Sequence, residues 1–128
     1  MEKTKVLARF NDGTLMKGHT GDFFPNKKNF HLELQDGKVV NIDVAQLKAI
    51  FFVKDFTGNK NRKDIYGDEI LGGGRKLQVK FKDGEQVIGY VQSYSPDRIG
   101  FFVIPADTQN NNERIFVITS ATEKVTFL

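Results

Sequence analysis

Apolar residues recur at every second position along most of this chain. Between residues 4 and 10, Val6, Ala8 and Phe10 share one face of an extended segment, the signature of a half-buried strand. Asn11-Asp12-Gly13 then turns the chain, because Gly takes a positive φ without steric cost. Further strands are predicted at 14–23, 30–34, 39–43 and 48–53, separated by a Pro25-Asn26-Lys27-Lys28 loop, a Gln35-Asp36-Gly37-Lys38 turn and one helical turn at 44–47. Gly18 lies inside the second strand, where a bulge or sharp bend is expected. The chain then repeats itself, with strands predicted at 76–82, 85–94, 101–104, 114–119 and 124–128 and a helical turn at 120–122.

The repetition has a fixed period. Phe10, Gly13, Gly18, Pro25 and Phe30 recur as Phe81, Gly84, Gly89, Pro96 and Phe101, each 71 residues later. After a longer polar loop at 105–113, the expected offset rises to 76, matching Ala45 with Ala121 and Phe51 with Phe127. The predicted domains are residues 1–53, a first small β-barrel repeat, and 76–128, a second. Residues 54–75 form a connector with Gly72-Gly73-Gly74 near its end; a short helix at 60–66 is the alternative there. Gly18 should superpose on Gly89 and Pro25 on Pro96, with no single sheet crossing both halves.

The expected core is Val6, Phe10, Phe30, Leu32, Ile42, Ile50 and Phe52 in the first half. In the second it is Leu77, Val79, Phe81, Val87, Val103, Val117, Ile118 and Val125. Phe51 and Phe116 sit in continuous apolar runs whose inward face periodicity does not resolve. Halves of this size are marginal alone. Phe51 and Phe52 are adjacent and point to opposite faces. One ring therefore has to leave its own barrel, for the other half or for Phe56, Ile65 or Tyr66 of the connector.

Composition narrows the chemistry. The 128 residues include no Cys, so neither disulfides nor thiolate metal sites are expected. No secretory signal or membrane span is legible, and the expected address is cytoplasmic. The net charge of +3 is spread along the chain, with no basic arm. The only His residues are His19 and His31, too few for a zinc site and placed as ordinary surface groups. Asp12 and Asp83 each precede a Gly at a hairpin tip, where turn geometry explains them. The Gly72–Gly74 run leads into a strand, not into the helix N-terminus that a phosphate loop requires. The expectation is therefore no enzyme, no cofactor and no metal.

Five short strands, a Gly inside the second and one helical turn before the fifth resemble the SH3-like and Sm-like small barrels. The fold class expected is all-β, as two tandem SH3/Sm-like five-stranded barrels. Asp22-Phe23-Phe24-Pro25-Asn26, the run from Leu47 to Phe56, and the segments from Phe116 and Val125 onward resemble an uncharacterised bacterial two-repeat family with no assigned activity. That resemblance implies a bacterial source, a binding or regulatory role and no catalytic residue to carry over.

The candidate ligand residues lie in the loops between the second and third strands of each repeat: Phe24, Asn26, Lys27, Lys28, Tyr94 and Arg98. The leading expectation is a non-enzymatic binding or regulatory module with a protein partner, because small barrels leave strand edges and grooves open. The alternative is single-stranded nucleic acid, RNA in particular, bound by aromatics for stacking and cations for phosphate. Against it, the Arg-Gly pair that Sm proteins carry after the fourth strand is replaced by Asp43-Val44-Ala45 and Thr119-Ser120-Ala121. A cyclic-dinucleotide receptor is a lesser alternative, since the required arginine pair is missing and Asp97-Arg98-Ile99-Gly100 is too short for the companion motif.

Overall fold

The computed structural model describes residues 4–54, 74–106 and 112–128, and these are all-β. The first half contains β1 (Thr4–Phe10), β2 (Leu15–Thr20), β3 (Asn29–Leu34), β4 (Val39–Asp43) and β5 (Leu47–Val53). The second contains β6 (Arg75–Phe81), β7 (Gln86–Val91), β8 (Gly100–Pro105), β9 (Asn112–Ile118) and β10 (Thr122–Phe127). Single 3₁₀ turns, Val44–Gln46 and Thr119–Ala121, precede β5 and β10. Asp43 caps the first, its carboxylate accepting the Ala45 N–H at 3.0 Å.

All ten strands belong to one antiparallel sheet, in the order β10-β6-β7-β8-β9-β5-β1-β2-β3-β4. The expectation that no sheet crosses both halves is therefore overturned. The crossing is β5·β9, where Ala49, Ile50, Phe51 and Phe52 lie opposite Val117, Phe116, Ile115 and Arg114. Strands with neighbours on both sides and packing on both faces lose the polar alternation of a half-exposed strand. That is why Ile50-Phe51-Phe52-Val53 and Ile115-Phe116-Val117-Ile118 read as unbroken apolar runs. The connector residues 55–73, including Phe56, Ile65, Tyr66 and the alternative helix, lie outside the described residues.

Hydrogen bonds mark the period more finely than the sequence does. The Val44 N–H donates to the Lys28 carbonyl at 2.9 Å, and the Thr119 N–H to Ile99, also at 2.9 Å. The Asn11 N–H donates to Gln46, and the Lys82 N–H to Ala121. On β1 and β6, Phe10 faces Leu47 while Phe81 faces Thr122, and both pairs sit beside a register shift. The offset after the long loop is thus 75, not 76: Phe52, and not Phe51, corresponds to Phe127. The bulged residues, Lys48 and Glu123, are equivalent, so the offset of 75 holds on both sides of them and the change from 71 falls in the long loop.

Gly18 and Gly89 are needed for close approach rather than for a bulge. No register shift occurs at either. A Cβ on Gly18 would strike the Glu33 carbonyl oxygen, and one on Gly89 the Ile104 carbonyl oxygen. β2 pairs with β3, and β7 with β8, at only two positions each before the strands part. β2 ends at Thr20 and β7 at Val91, short of the predicted 14–23 and 85–94.

One buried apolar cluster spans both halves, from Val6, Phe30 and Phe52 to Phe81, Val103 and Phe116. Most expected core residues are in it. Phe10, Val87 and Val125 are half-buried against its margin instead, and Phe51 is half-buried too. Phe52 stays on the core face of its own half with Val6 and Ile50, its ring reaching Phe102 at 5.9 Å, and Phe51, on the opposite face, lies opposite Ile115 of the other half.

Lys48 adds a polar joint between the halves. It is 6% exposed, and its ammonium lies 2.7 Å from Asp83 Oδ2 and 2.5 Å from Glu85 Oε1. Its Nζ also lies 4.7 Å from the Phe81 ring centroid. The hydrogen bond from Lys48, then that from the Glu85 N–H, hold the Asp83 carboxyl below the ordinary aspartate range.

Candidate functional site

The two loops singled out in the sequence form equivalent turns. The Lys27 N–H donates to the Phe24 carbonyl at 3.0 Å, and the Arg98 N–H to the Ser95 carbonyl at 3.2 Å. Pro25 and Pro96 take the second position of these turns, where their fixed φ is already suitable. Phe23 anchors the first loop across the junction of the halves. Its ring lies 5.4 Å from Phe30, 5.6 Å from Phe52 and 5.0 Å from Phe116. This carries Pro25 and Asn26 over the sheet of the second half.

A cleft of about 580 Å³ opens there, in the size range of ligand pockets. Its floor is aromatic and aliphatic, from Phe101, Phe102, Ile104 and Phe116 on β8 and β9. Tyr90 forms the β7 wall, and Gln92, Ser93, Asp97 and Arg98 form the polar rim facing Asn26. Tyr90 is buried, and its hydroxyl has no hydrogen-bond partner among the described residues. A buried hydroxyl without a partner is costly, so it marks a place where a ligand group would be stabilising.

Comparison of the halves shows how the equivalent place in the first half differs. In the first half, where β2 and β3 part, Asp22 fills the gap. Its Oδ1 accepts the His31 backbone N–H at 2.9 Å, and its Oδ2 meets His31 Nδ1 at 2.6 Å. Burial acts to raise the Asp22 pKa, but the bonds from His31 and Thr20 outweigh it and leave the carboxyl below its ordinary value. Residue for residue, Asp22 corresponds to Ser93 and His31 to Phe102. Ser93 is too short to close the gap, and its Oγ instead accepts from Arg98 Nη1 at 3.3 Å. The space between β7 and β8 stays open.

The structure divides the six candidate residues. Asn26 and Arg98 line the cleft. Phe24 and Lys27 pair with each other on the outer side of their turn, with Lys27 Nζ 4.8 Å from the ring centroid. The Lys28 side chain is exposed, and its backbone carbonyl supports the 3₁₀ turn. Tyr94 packs edge-on against Phe101 at 4.8 Å and Phe127 at 5.9 Å, outside the cleft. Sequence reasoning missed Tyr90, Phe102 and Ile104. The adjacency argument applied to Phe51-Phe52 would have found Phe102 if applied to Phe101-Phe102. Among the described residues, no group of three or more His, Cys, Asp or Glu is placed to hold a metal ion.

A model of a family of unknown function, DUF6982, matches residues 2–128. The chain belongs to this family. As a DUF6982 member it shares no assigned activity with its relatives. Comparison with curated proteins gave no match, and comparison with solved structures gave none either. Among the described residues of this DUF6982 chain, no helix is long and apolar enough to cross a membrane.

Proposed function

We propose that this DUF6982 chain is a non-enzymatic binding module whose β7/β8 cleft takes an extended segment of a protein partner. The observation that carries this reading is the opening itself. Two neighbouring strands part over an apolar floor, with a tyrosine hydroxyl in one wall that has no partner among the described residues. An extended peptide inserted between parting strands can use main-chain hydrogen bonds for affinity and side-chain pockets for specificity. Phe102, Ile104 and Phe116 suit an apolar anchor residue. The Tyr90 hydroxyl, Asn26 and Arg98 suit a carbonyl or carboxylate beside it.

The same reading takes each set of five strands as an SH3/Sm-like unit. The order β5-β1-β2-β3-β4 and its counterpart β10-β6-β7-β8-β9 support it, as do the 3₁₀ turns before the fifth strands. Single-stranded RNA is a weaker fit, because Phe24 and Lys27 occupy each other and Tyr94 packs outside the cleft.

The test is selection of binders from a random peptide display library, followed by titration calorimetry. Bound peptides should lose affinity with Ile104→Glu and, by about tenfold or less, with Tyr90→Phe. Their binding should change little with salt. If no peptide binds while a single-stranded oligonucleotide does, with affinity falling steeply as salt rises, the protein-partner reading is wrong.

A further inference from the structure

The strand joint between the halves has a second copy of both its sides, unpaired among the described residues. β5 of the first half pairs with β9 of the second. The counterpart of β5 is β10, and the counterpart of β9 is β4. These are the two end strands of the ten-stranded sheet, each with one strand neighbour among the described residues. A strand edge with unpaired backbone groups is a template for another strand. Here both complementary templates lie on one molecule. Apolar side chains gather at them: Val39 on β4 is 60% exposed, Phe127 on β10 37%, and Leu128 63%.

We infer that a second copy of this chain docks at this edge, its β4 adding antiparallel to β10 and repeating the internal joint. The register follows from the joint itself. Shifting Ala49–Val117 and Phe52–Arg114 by 75, forward on β5 and back on β9, sets Lys124 opposite Ile42 and Phe127 opposite Val39. The two exposed apolar side chains at the ends of the register therefore cover one another. The contact joins unlike edges, so copies add in one direction, into a closed ring or a growing chain rather than a two-fold dimer.

The new joint lacks two polar features of the internal one: Val39 stands where Arg114 lies over the Phe52 ring, and the Lys48 ion pairs are missing. Lys48 meets Asp83 and Glu85 across the internal joint. Glu123 stands at the position of Lys48 and has Lys80 of its own half at 3.5 Å. Across the joint between copies it would face Asp12 and Thr14, the counterparts of Asp83 and Glu85. A carboxylate facing a carboxylate weakens the contact and makes added salt favour it. The inference does not depend on the cleft, which lies on β7 and β8.

Sedimentation velocity on the full chain over a concentration series, at low and high salt, tests it. Reversible association that strengthens with salt is the expected result. Val39→Lys should reduce the association constant by about tenfold or more, because Arg75 already lies over the Phe127 ring and a second cation opposite it is repelled. Glu123→Lys should raise it by about threefold to tenfold and reverse the salt response, because it recreates the Lys48 arrangement. Association of Glu123→Lys alone still supports the joint. A chain that stays monomeric as wild type and as Glu123→Lys overturns the inference, as does association that Val39→Lys leaves unchanged.

Discussion

Lys48 offers a way to measure the joint between the halves from its two sides. Its ammonium is almost fully enclosed, whereas the side chains of Asp83 and Glu85 are each 55% exposed. The two sides should therefore differ in cost. Changing Asp83→Asn and Glu85→Gln together keeps hydrogen-bonding shape but leaves a buried cation without a counter-charge. Loss of one side of a buried pair costs about 3–5 kcal/mol, and the retained amides place this case near the lower end. Lys48→Met keeps the stem packed on Phe81 and leaves two carboxylates that water can still solvate. Its cost should be about 1–2 kcal/mol, from a mostly surface-like ion pair and a cation–aromatic contact. Urea unfolding at neutral pH, read as midpoint and slope for each variant, gives both numbers. A Lys48→Met loss equal to or larger than that of the double variant would refute the reasoning. The pH dependence has a definite sign. Asp83 is held below its ordinary value of 3.8, so its contribution is full above that pH and is lost as pH falls through the lowered value. Lys48→Met should flatten that acid limb.

Other outcomes follow from single positions. Gly18→Ala and Gly89→Ala should each cost about 1–3 kcal/mol or more, since the added methyl meets a backbone carbonyl that a neighbouring strand holds in place. Phe81→Ala should cost about 3–5 kcal/mol in the same unfolding assay, and a loss below about 1 kcal/mol would place Phe81 at the surface. Asp22→Asn should remove part of the stability present above pH 3.8 and weaken its decline in acid, measured by thermal unfolding across an acid pH series.

Much of the local structure was legible because each signal is local. The turn glycines Gly13, Gly37 and Gly84 all take positive φ. Alternation located all ten strands, and residues 39–43 were placed to the residue. The continuity of the sheet was not legible, because alternation reports which face of a strand is buried and not which strand lies beside it. The signal present was the paired apolar runs of β5 and β9, which mark strands enclosed on both faces. The period after the long loop was misread by one residue because Ala45 was matched with Ala121 and Phe51 with Phe127 on residue identity, whereas the strand pairing sets Gln46 against Ala121 and Phe52 against Phe127. The cleft was half legible. Pro25 and Pro96 revealed the turns that deliver Asn26 and Arg98. Tyr94 looked like the binding aromatic because it is next to the loop, but it fills the space against Phe101 and Phe127. Tyr90, inside a strand and four residues earlier, faces the opening instead.

The two halves should unfold as one unit, joined by β5·β9, the Lys48 ion pairs and a common core. Scanning calorimetry of the intact chain tests it most directly, through the ratio of calorimetric to van't Hoff enthalpy. One transition with a ratio of about 1 is expected. Two transitions, or a ratio of about 2, would mean that the halves unfold independently and would contradict it.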